Sequence, residues 1–215
     1  MPWTLVESAN HADTQLELYA KDGIYMIRAN GLELMNGFNH DSETAFGRLA
    51  AELAPGASPR ILIAGLGLGY TLAAASEELA ASGTISVVEF SAAVIGWFER
   101  HVRASVLPEM PKNVVIRESD AIAHLQSGAR YDVILLDIDN GPEPFTQASN
   151  ATLYDRAGLD LLRGALAENG RVLLWSGFRS ESFEALARAA GFAVTRRLVA
   201  NGPRPDLDHH IYILS

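Results

Sequence analysis

The chain has 215 residues, of which 48% are hydrophobic and 20% are charged, proportions that indicate one folded domain with room for a small appendage. It contains no cysteine, which excludes disulfide frameworks, thiolate metal sites and cysteine nucleophiles. The formal net charge of −9 argues against nucleic acid as an obligate partner, because phosphate binding relies on clustered lysine and arginine.

The amino-terminal part of the chain, residues 1–40, has the pattern of a small antiparallel β-region. Asp22-Gly23 lies between two alternating runs, and Asn30-Gly31 is a second turn signal. We therefore predict hairpin-connected strands within residues 14–37. An amphipathic helix over 41–53 follows, with Asp41 or Ser42 as its N-cap.

From residue 60 onward, short apolar segments alternate with helical ones. The predicted strands are 61–64, 84–89, 114–117, 131–136, 171–175, 192–199 and 210–214. The predicted helices between them are 70–81, 92–106, 121–126, 152–167 and 182–190. Strands that are apolar along their whole length are typical of parallel sheets covered on both faces, so residues 41–215 are predicted to form an α/β domain with a doubly wound, mostly parallel seven-stranded sheet. A turn signal at 201–203 predicts a final hairpin with one antiparallel edge strand.

A glycine-rich turn follows the first strand of this domain. Gly65, Gly67 and Gly69 occupy its first, third and fifth positions. Glycines in such a turn let the backbone approach a ligand closely. A dinucleotide fingerprint needs a glycine at the sixth position, where this chain has Tyr70. The spacing is instead the form found in enzymes that use S-adenosylmethionine, so we predict that the three glycines bind such a nucleoside.

Acidic residues end the next two strands. Glu89 closes strand 84–89, where an acid can accept hydrogen bonds from both ribose hydroxyls. Asp120 and Ala121 follow strand 114–117, where an acid and a small residue commonly meet an adenine edge. The alternative for Asp120 and Glu89 is that a strand-end acid only caps the following helix.

Two further acids follow strand 131–136. Asp137 ends that strand, at the sheet edge where open α/β sheets bind their ligands. Asp139 lies on the same face if the strand continues, so the pair could orient or deprotonate an amine. Asp139 and Asn140 could instead only shape the turn. The stretch 141–150, rich in glycine, proline, asparagine and serine, is long enough to act as a lid.

The end of the chain has the composition of a metal site, with Asp206, Asp208, His209 and His210 close together. Consecutive strand residues point to opposite faces, however, so His209 and His210 cannot easily share one ion. We therefore predict no metal.

These residues resemble the spermidine synthase family, and specifically its short bacterial spermidine-synthase-like members. The resemblance runs over nearly the whole chain and is carried by the β-region, the glycine-rich turn, Glu89, Asp120-Ala121 and residues 131–137. It implies a class I methyltransferase-like, Rossmann-like fold. It also implies transfer of an aminopropyl group from decarboxylated S-adenosylmethionine to putrescine, usually by dimers or higher oligomers.

The chain departs from the family at three positions that handle the amine. The chain has Leu68 where the family has an acid within the glycine-rich turn. It has Asp41 where the family has a tyrosine, just before the Gln-Glu or His-Glu pair that opens the first helix. It has Asn140 where the family has a second acid after the fourth strand. A cationic amine needs carboxylates to replace its lost hydration, so Leu68 should weaken diamine chemistry.

We therefore expect a cytoplasmic transferase that binds S-adenosylmethionine or its decarboxylated form as co-substrate and transfers an aminopropyl or methyl group to a small acceptor such as an amine. Asp137, and secondarily Asp139, would orient or deprotonate that acceptor. The expected partner is a second copy of the chain in a homodimer, with no nucleic acid and no membrane. The alternatives left open are a small-molecule methyltransferase and a non-catalytic nucleoside-binding protein, with a nicotinamide-dependent oxidoreductase more distant.

Overall fold

The computed structural model of the chain contains two β-sheets, a small antiparallel one and a large, mostly parallel one. It describes residues 2–11, 14–79, 82–138, 141–142, 152–200 and 208–215. The small sheet has the order β1-β2-β3-β4, and each strand pairs antiparallel with the next. Its strands are β1 (Thr4–His11), β2 (Thr14–Lys21), β3 (Ile24–Ala29) and β4 (Leu32–Asn36).

The large sheet has the order β10-β11-β9-β8-β5-β6-β7, which confirms the predicted doubly wound, seven-stranded α/β fold. Its strands are β5 (Arg60–Ala64), β6 (Thr84–Glu89), β7 (Val114–Glu118), β8 (Tyr131–Leu136), β9 (Leu166–Ser176), β10 (Val194–Val199) and β11 (His209–Leu214). The predicted final hairpin is present, but its antiparallel strand is not at the edge. β11 lies between β9 and β10 and runs antiparallel to both of them.

Seven α-helices connect these strands in the part of the chain that the structure describes. They are α1 (Asp41–Leu53), α2 (Tyr70–Glu78), α3 (Ala92–Trp97), α4 (Arg103–Val106), α5 (Ala121–Leu125), α6 (Arg156–Gly164) and α7 (Glu181–Ala189). A five-residue π-helical segment, Phe98–Val102, joins α3 to α4, so the single helix predicted over 92–106 has a widened middle. Among the described residues no helix is both long enough and apolar enough to cross a bilayer.

Two helix starts differ from the predictions because of side-chain hydrogen bonds. α1 has His40 as its N-cap residue rather than Asp41 or Ser42, and no side chain caps it. The Ser42 hydroxyl is bonded to Glu43 and His209 instead, so it does not cap the backbone. α6 begins at Arg156, four residues after the start of its predicted range of 152–167, because the Asp155 carboxylate accepts the Gly158 N–H and caps the helix there.

The large sheet separates two hydrophobic cores, because successive residues of a strand face opposite sides. Ile61 and Ile63 of β5 belong to one core, and Leu62 and Ala64 belong to the other. The first core also contains buried residues of the small sheet, including Leu18, which is fully buried. The small sheet is therefore packed against the α/β unit, on the side of α1, α2 and α3.

Candidate active site

A cavity of about 190 Å³ lies at the carboxyl ends of β5, β6 and β8. Gly65, Glu89 and Asp137 line it from the large sheet. The small sheet supplies the facing wall, where Ile27 and Met35 line the cavity. The sequence analysis placed the ligand at the strand ends, but it did not anticipate that the small sheet closes the site.

The glycine-rich turn is shaped by the end of β8. Gly65 has φ of 99°, and a methyl group there would collide with the main-chain oxygen of Asp137. The Asp137 N–H donates to the Ala64 carbonyl at 2.8 Å, which fixes the two segments together. Glycine is therefore required at position 65 both for its backbone angle and for the close approach of β8.

Met35 covers the middle of the same turn. Gly67, with φ of 50°, leaves space that the Met35 sulfur fills, and the Leu68 N–H donates to that sulfur at 3.2 Å. The Leu68 side chain is fully buried in the hydrophobic core. Gly69 does not line the cavity: it precedes α2 with φ of 83° and packs against Phe98.

Glu89 lies in the cavity wall with both carboxylate oxygens bonded to backbone. Oε2 accepts the Leu66 N–H and Oε1 accepts the Ser91 N–H, each at 2.9 Å. Burial raises the pKa of Glu89, and the backbone N–H groups of Ser91 and Leu66 oppose that rise. The backbone N–H groups of Gly67 and Phe90 oppose the rise as well, so four backbone donors favour the charged carboxylate, which lines the cavity as a hydrogen-bond acceptor.

Asp120 and Ala121 also line the cavity, and Asp120 has a second role. Its Oδ1 accepts the Ala123 N–H at 2.9 Å and caps α5. Asp120 can therefore both cap the helix and contact a ligand, because capping engages one oxygen of the carboxylate while the residue still faces the cavity.

Asp137 lies in the cavity between other acids. Its Oδ2 accepts a hydrogen bond from the Thr71 hydroxyl at 2.7 Å. Burial raises the pKa of Asp137 to about 7, the Thr71 hydrogen bond opposes the rise, and the negative charges of Glu43 and Glu89 add to it. Asp137 can therefore exchange a proton near neutral pH, as a general base must. Asp139, Asn140 and the stretch 143–151 lie outside the described residues.

Glu43 lines the same cavity and was missed by the sequence analysis. It lies in the first turn of α1, and the Ser42 hydroxyl donates to its Oε2 at 2.5 Å. Burial raises the pKa of Glu43, and the Ser42 hydrogen bond opposes that rise. The available signal was the Ser42-Glu43 pair, which stands where the resemblance puts the Gln-Glu or His-Glu pair that opens the first helix.

An aromatic wall closes the side of the cavity near Glu43. Trp175 of β9 lines the cavity, and its indole Nε1 is buried with no hydrogen-bond partner among the described residues. Its ring contacts the His209 ring edge-on, with 4.5 Å between the ring centroids. A buried N–H group normally has a hydrogen-bond partner, so an acceptor atom on a bound molecule would supply the one that this indole needs.

The two histidines at the start of β11 point to different neighbours. His209 Nδ1 lies 2.8 Å from the Ser42 hydroxyl, whereas His210 Nδ1 lies 2.7 Å from an Arg196 nitrogen. They therefore do not converge on one point, as the alternation of side chains along a strand requires.

Three solved structures with a similar fold are two spermidine synthases and one probable spermidine synthase. One is in complex with the transition-state analogue AdoDATO (TM-score 0.77, 14% identity), and another is from Thermotoga maritima (TM-score 0.76, 14% identity); in both cases 98% of this chain and 72% of the other chain are covered. A probable spermidine synthase from Corynebacterium glutamicum gives a TM-score of 0.69 at 18% identity, covering 98% of this chain and 79% of that one.

The chain has a spermidine synthase-like fold. No protein-family model matches it, and a search of curated proteins gave no match. The fold confirms the resemblance found in the sequence, and at these identities it establishes architecture alone.

Proposed function

We propose that the chain is an aminopropyltransferase-type enzyme, which binds decarboxylated S-adenosylmethionine in this cavity and transfers its alkyl group to a small amine. The observation that carries the proposal is the charge of the cavity. Its described lining includes Glu43, Glu89, Asp120 and Asp137, and no lysine or arginine. The spermidine synthase-like fold supports the same reaction class.

The acidic lining favours the decarboxylated nucleoside over the intact one. An amine and a sulfonium that lose water need carboxylates nearby to replace their hydration. The carboxylate of intact S-adenosylmethionine would find no lysine or arginine among the described lining residues and would face the acids of the cavity. Aminopropyl transfer is therefore favoured over methyl transfer.

The residues divide between the nucleoside and the acceptor. Glu89 would accept the ribose hydroxyls, Asp120 and Ala121 would meet the adenine, and the unpaired indole N–H of Trp175 would donate to an acceptor on the bound molecules. The sulfonium supplies a carbon that is already activated for displacement, so the protein's task is to position and deprotonate the acceptor. Asp137 would orient the acceptor amine, and its pKa of about 7 lets it exchange a proton at neutral pH; the acids that line the cavity would together deprotonate the acceptor.

Calorimetric titration tests the proposal with S-adenosylmethionine, its decarboxylated form and methylthioadenosine, each with and without putrescine. We expect the decarboxylated form to bind more tightly than the intact form, with putrescine increasing that preference. Preference for intact S-adenosylmethionine would indicate methyl transfer, and binding of none of the three would exclude the nucleoside site.

A matched pair of variants tests the ribose assignment. Glu89→Gln removes the charge from the acid at the end of β6, and Glu118→Gln does the same at the paired end of β7, where Glu118 is exposed and outside the cavity lining. We expect Glu89→Gln to weaken nucleoside binding by about 10- to 100-fold, or roughly 1.4–2.8 kcal/mol, and Glu118→Gln to leave it unchanged. Equal effects of the two variants would contradict the assignment.

A further inference from the structure

A chain of hydrogen bonds leads from the cavity into the protein through Glu43, Ser42 and His209. The Ser42 hydroxyl lies 2.5 Å from Glu43 Oε2 and 2.8 Å from His209 Nδ1. Ser42 is 1% exposed, so this link is closed to solvent. The outer members belong to elements far apart in sequence, α1 and β11.

Because Ser42 has a single hydroxyl proton, the hydrogen bonds that join Glu43, Ser42 and His209 can take two arrangements. When Glu43 is a carboxylate, the hydroxyl donates to it and accepts from a protonated His209 Nδ1. When Glu43 is protonated, it donates to the Ser42 oxygen, and the hydroxyl donates to an unprotonated Nδ1. Moving from the first arrangement to the second requires two short proton shifts and no movement of heavy atoms.

The surroundings of Glu43 and His209 bring the pKa values of these two groups closer to each other. Burial raises the pKa of Glu43 and lowers the pKa of His209. The charges of His40 and Asp41, which precede Glu43 in the chain, act on its pKa. Across the site, the charge of Glu43 raises the pKa values of Asp137 and Tyr70. The groups that act on His209 are His210 and Asp208, and Trp175 and Ser42 contact it from β9 and α1.

We propose that Glu43, Ser42 and His209 form a proton relay that carries away the proton lost by the acceptor amine. The inference rests on the proposed function. The acceptor ammonium loses its proton to the Glu43 carboxylate, and the electron pair of the broken N–H bond stays on nitrogen, which becomes the nucleophile. Glu43 passes a proton to the Ser42 oxygen as Ser42 passes its own to His209 Nδ1, which leaves an imidazolium. His209 acts through the other two residues and does not touch the substrate.

The first test needs no ligand and follows the titration of the Glu43 carboxyl carbon by NMR in protein labelled at glutamate. Two groups that share a proton titrate in two coupled steps. All proteins in this test carry Asp137→Asn, because the charge of Asp137 is coupled to that of Glu43 and would add a step of its own. In that background we expect two steps for Glu43, and a single step once Ser42→Ala or His209→Asn is added. Adding His210→Asn, which removes the neighbouring imidazole that faces Arg196, should keep both steps. A single step in the protein that carries Asp137→Asn alone would overturn the relay.

The second test separates proton transfer from anchoring. Asparagine at position 209 can still donate an amide N–H to the Ser42 oxygen, but it cannot accept and carry a proton. We expect His209→Asn to lower kcat by about 10- to 100-fold, at or below what a general base contributes, with KM for both substrates unchanged. The deficit should shrink above the pKa of the acceptor amine, where no proton has to be removed.

A kcat for His209→Asn equal to the wild-type value would mean that His209 is only an anchor and would overturn the proposal. If the wild-type protein transferred no alkyl group to any amine, the proposed function would fail. The number of NMR steps would then still decide whether the three residues share a proton.

Discussion

Asp137 has an environment that suits chemistry better than stability. Burial and two neighbouring acids raise its pKa to about 7, well above the 3.8 of an exposed aspartate. Because the folded protein binds this proton more tightly than the unfolded chain does, folding becomes less favourable as the pH rises from about 4 to 7, and the deficit is constant above 7.

Asp137→Asn should therefore stabilise the protein while removing a carboxylate that is proposed to orient the acceptor. Asparagine can still accept the Thr71 hydroxyl bond and carries no charge to bury. We expect a gain on the order of 1–3 kcal/mol at pH 8 that declines toward zero near pH 4, measured by urea unfolding at several pH values. A gain independent of pH would show that the charge of Asp137 is not its cause.

Alanine substitutions at Gly65 and Gly128 distinguish the cost of backbone strain from the cost of a steric collision. Both have positive φ, 99° and 85°, but a methyl group at 65 would meet the Asp137 carbonyl while one at 128 would meet nothing within 4 Å. We expect Gly128→Ala to cost about 1–2 kcal/mol from strain alone, and Gly65→Ala to cost about 1–3 kcal/mol more. Denaturant unfolding measures both, and equal costs would contradict the close packing of β5 against β8.

At the scale of whole elements, Glu7 ties the small sheet to the widened helix that follows β6. From β1 its carboxylate accepts hydrogen bonds from Trp97 and Arg100, and one of its oxygens lies 2.6 Å from His101 Nε2. The hydrogen bonds from Arg100 and His101 lower the pKa of Glu7 to about 2. Since the folded-state pKa is depressed, this contribution to stability is complete above about pH 4.5 and is lost as the pH falls toward 2.

Glu7→Gln should loosen this link between the two sheets. We expect the melting temperature at pH 7 to fall by about 2–4 °C, corresponding to roughly 1 kcal/mol because the pair is partly solvent-exposed. The control is Asp160→Asn, which breaks the exposed Arg156–Asp160 pair within α6 and should change little. An equal effect of both variants, or a Glu7→Gln effect that persists at pH 2, would contradict this role.

The elements that the sequence predicted well are those with an uninterrupted signal. β6 and β8 match their predicted bounds, because buried parallel strands are apolar throughout and are bounded by turn residues. β1 was missed since its large side chains Leu5 and Val6 are exposed and a bulge between Leu5 and Glu7 breaks the alternation. β9 was predicted to begin five residues late, because Glu168-Asn169-Gly170 has the composition of a turn although it lies within the strand.

The site was predictable in its strand-end residues and not in its walls. Glu89, Asp120, Ala121 and Asp137 all line the cavity, because the carboxyl ends of neighbouring parallel strands converge. The contact between Ser42 and His209 joins residues 167 positions apart. Such a contact depends on how α1 packs over the large sheet, against β8, β9 and β10, which no local pattern encodes.

At the scale of the molecule, acidity should act on ligand binding. The net charge of −9 and the acidic cavity both attract cations, and salt screens such attraction. We expect affinity for decarboxylated S-adenosylmethionine to fall by about 3- to 10-fold between about 20 and 500 mM salt. Methylthioadenosine, which carries no net charge, is the control in the same calorimetric series and should be insensitive. Equal salt dependence of the two ligands would contradict an electrostatic contribution.

The sulfur of Met35 makes the glycine turn chemically vulnerable. It fills the space beside Gly67 and accepts the Leu68 N–H, so the wall of the cavity at this point is a thioether. Oxidation to the sulfoxide adds an oxygen atom, which takes up further space and is a far stronger hydrogen-bond acceptor than the thioether sulfur. The glycine-rich turn would have to move to admit that atom, so peroxide should distort this wall of the cavity, and a methionine sulfoxide reductase should restore it.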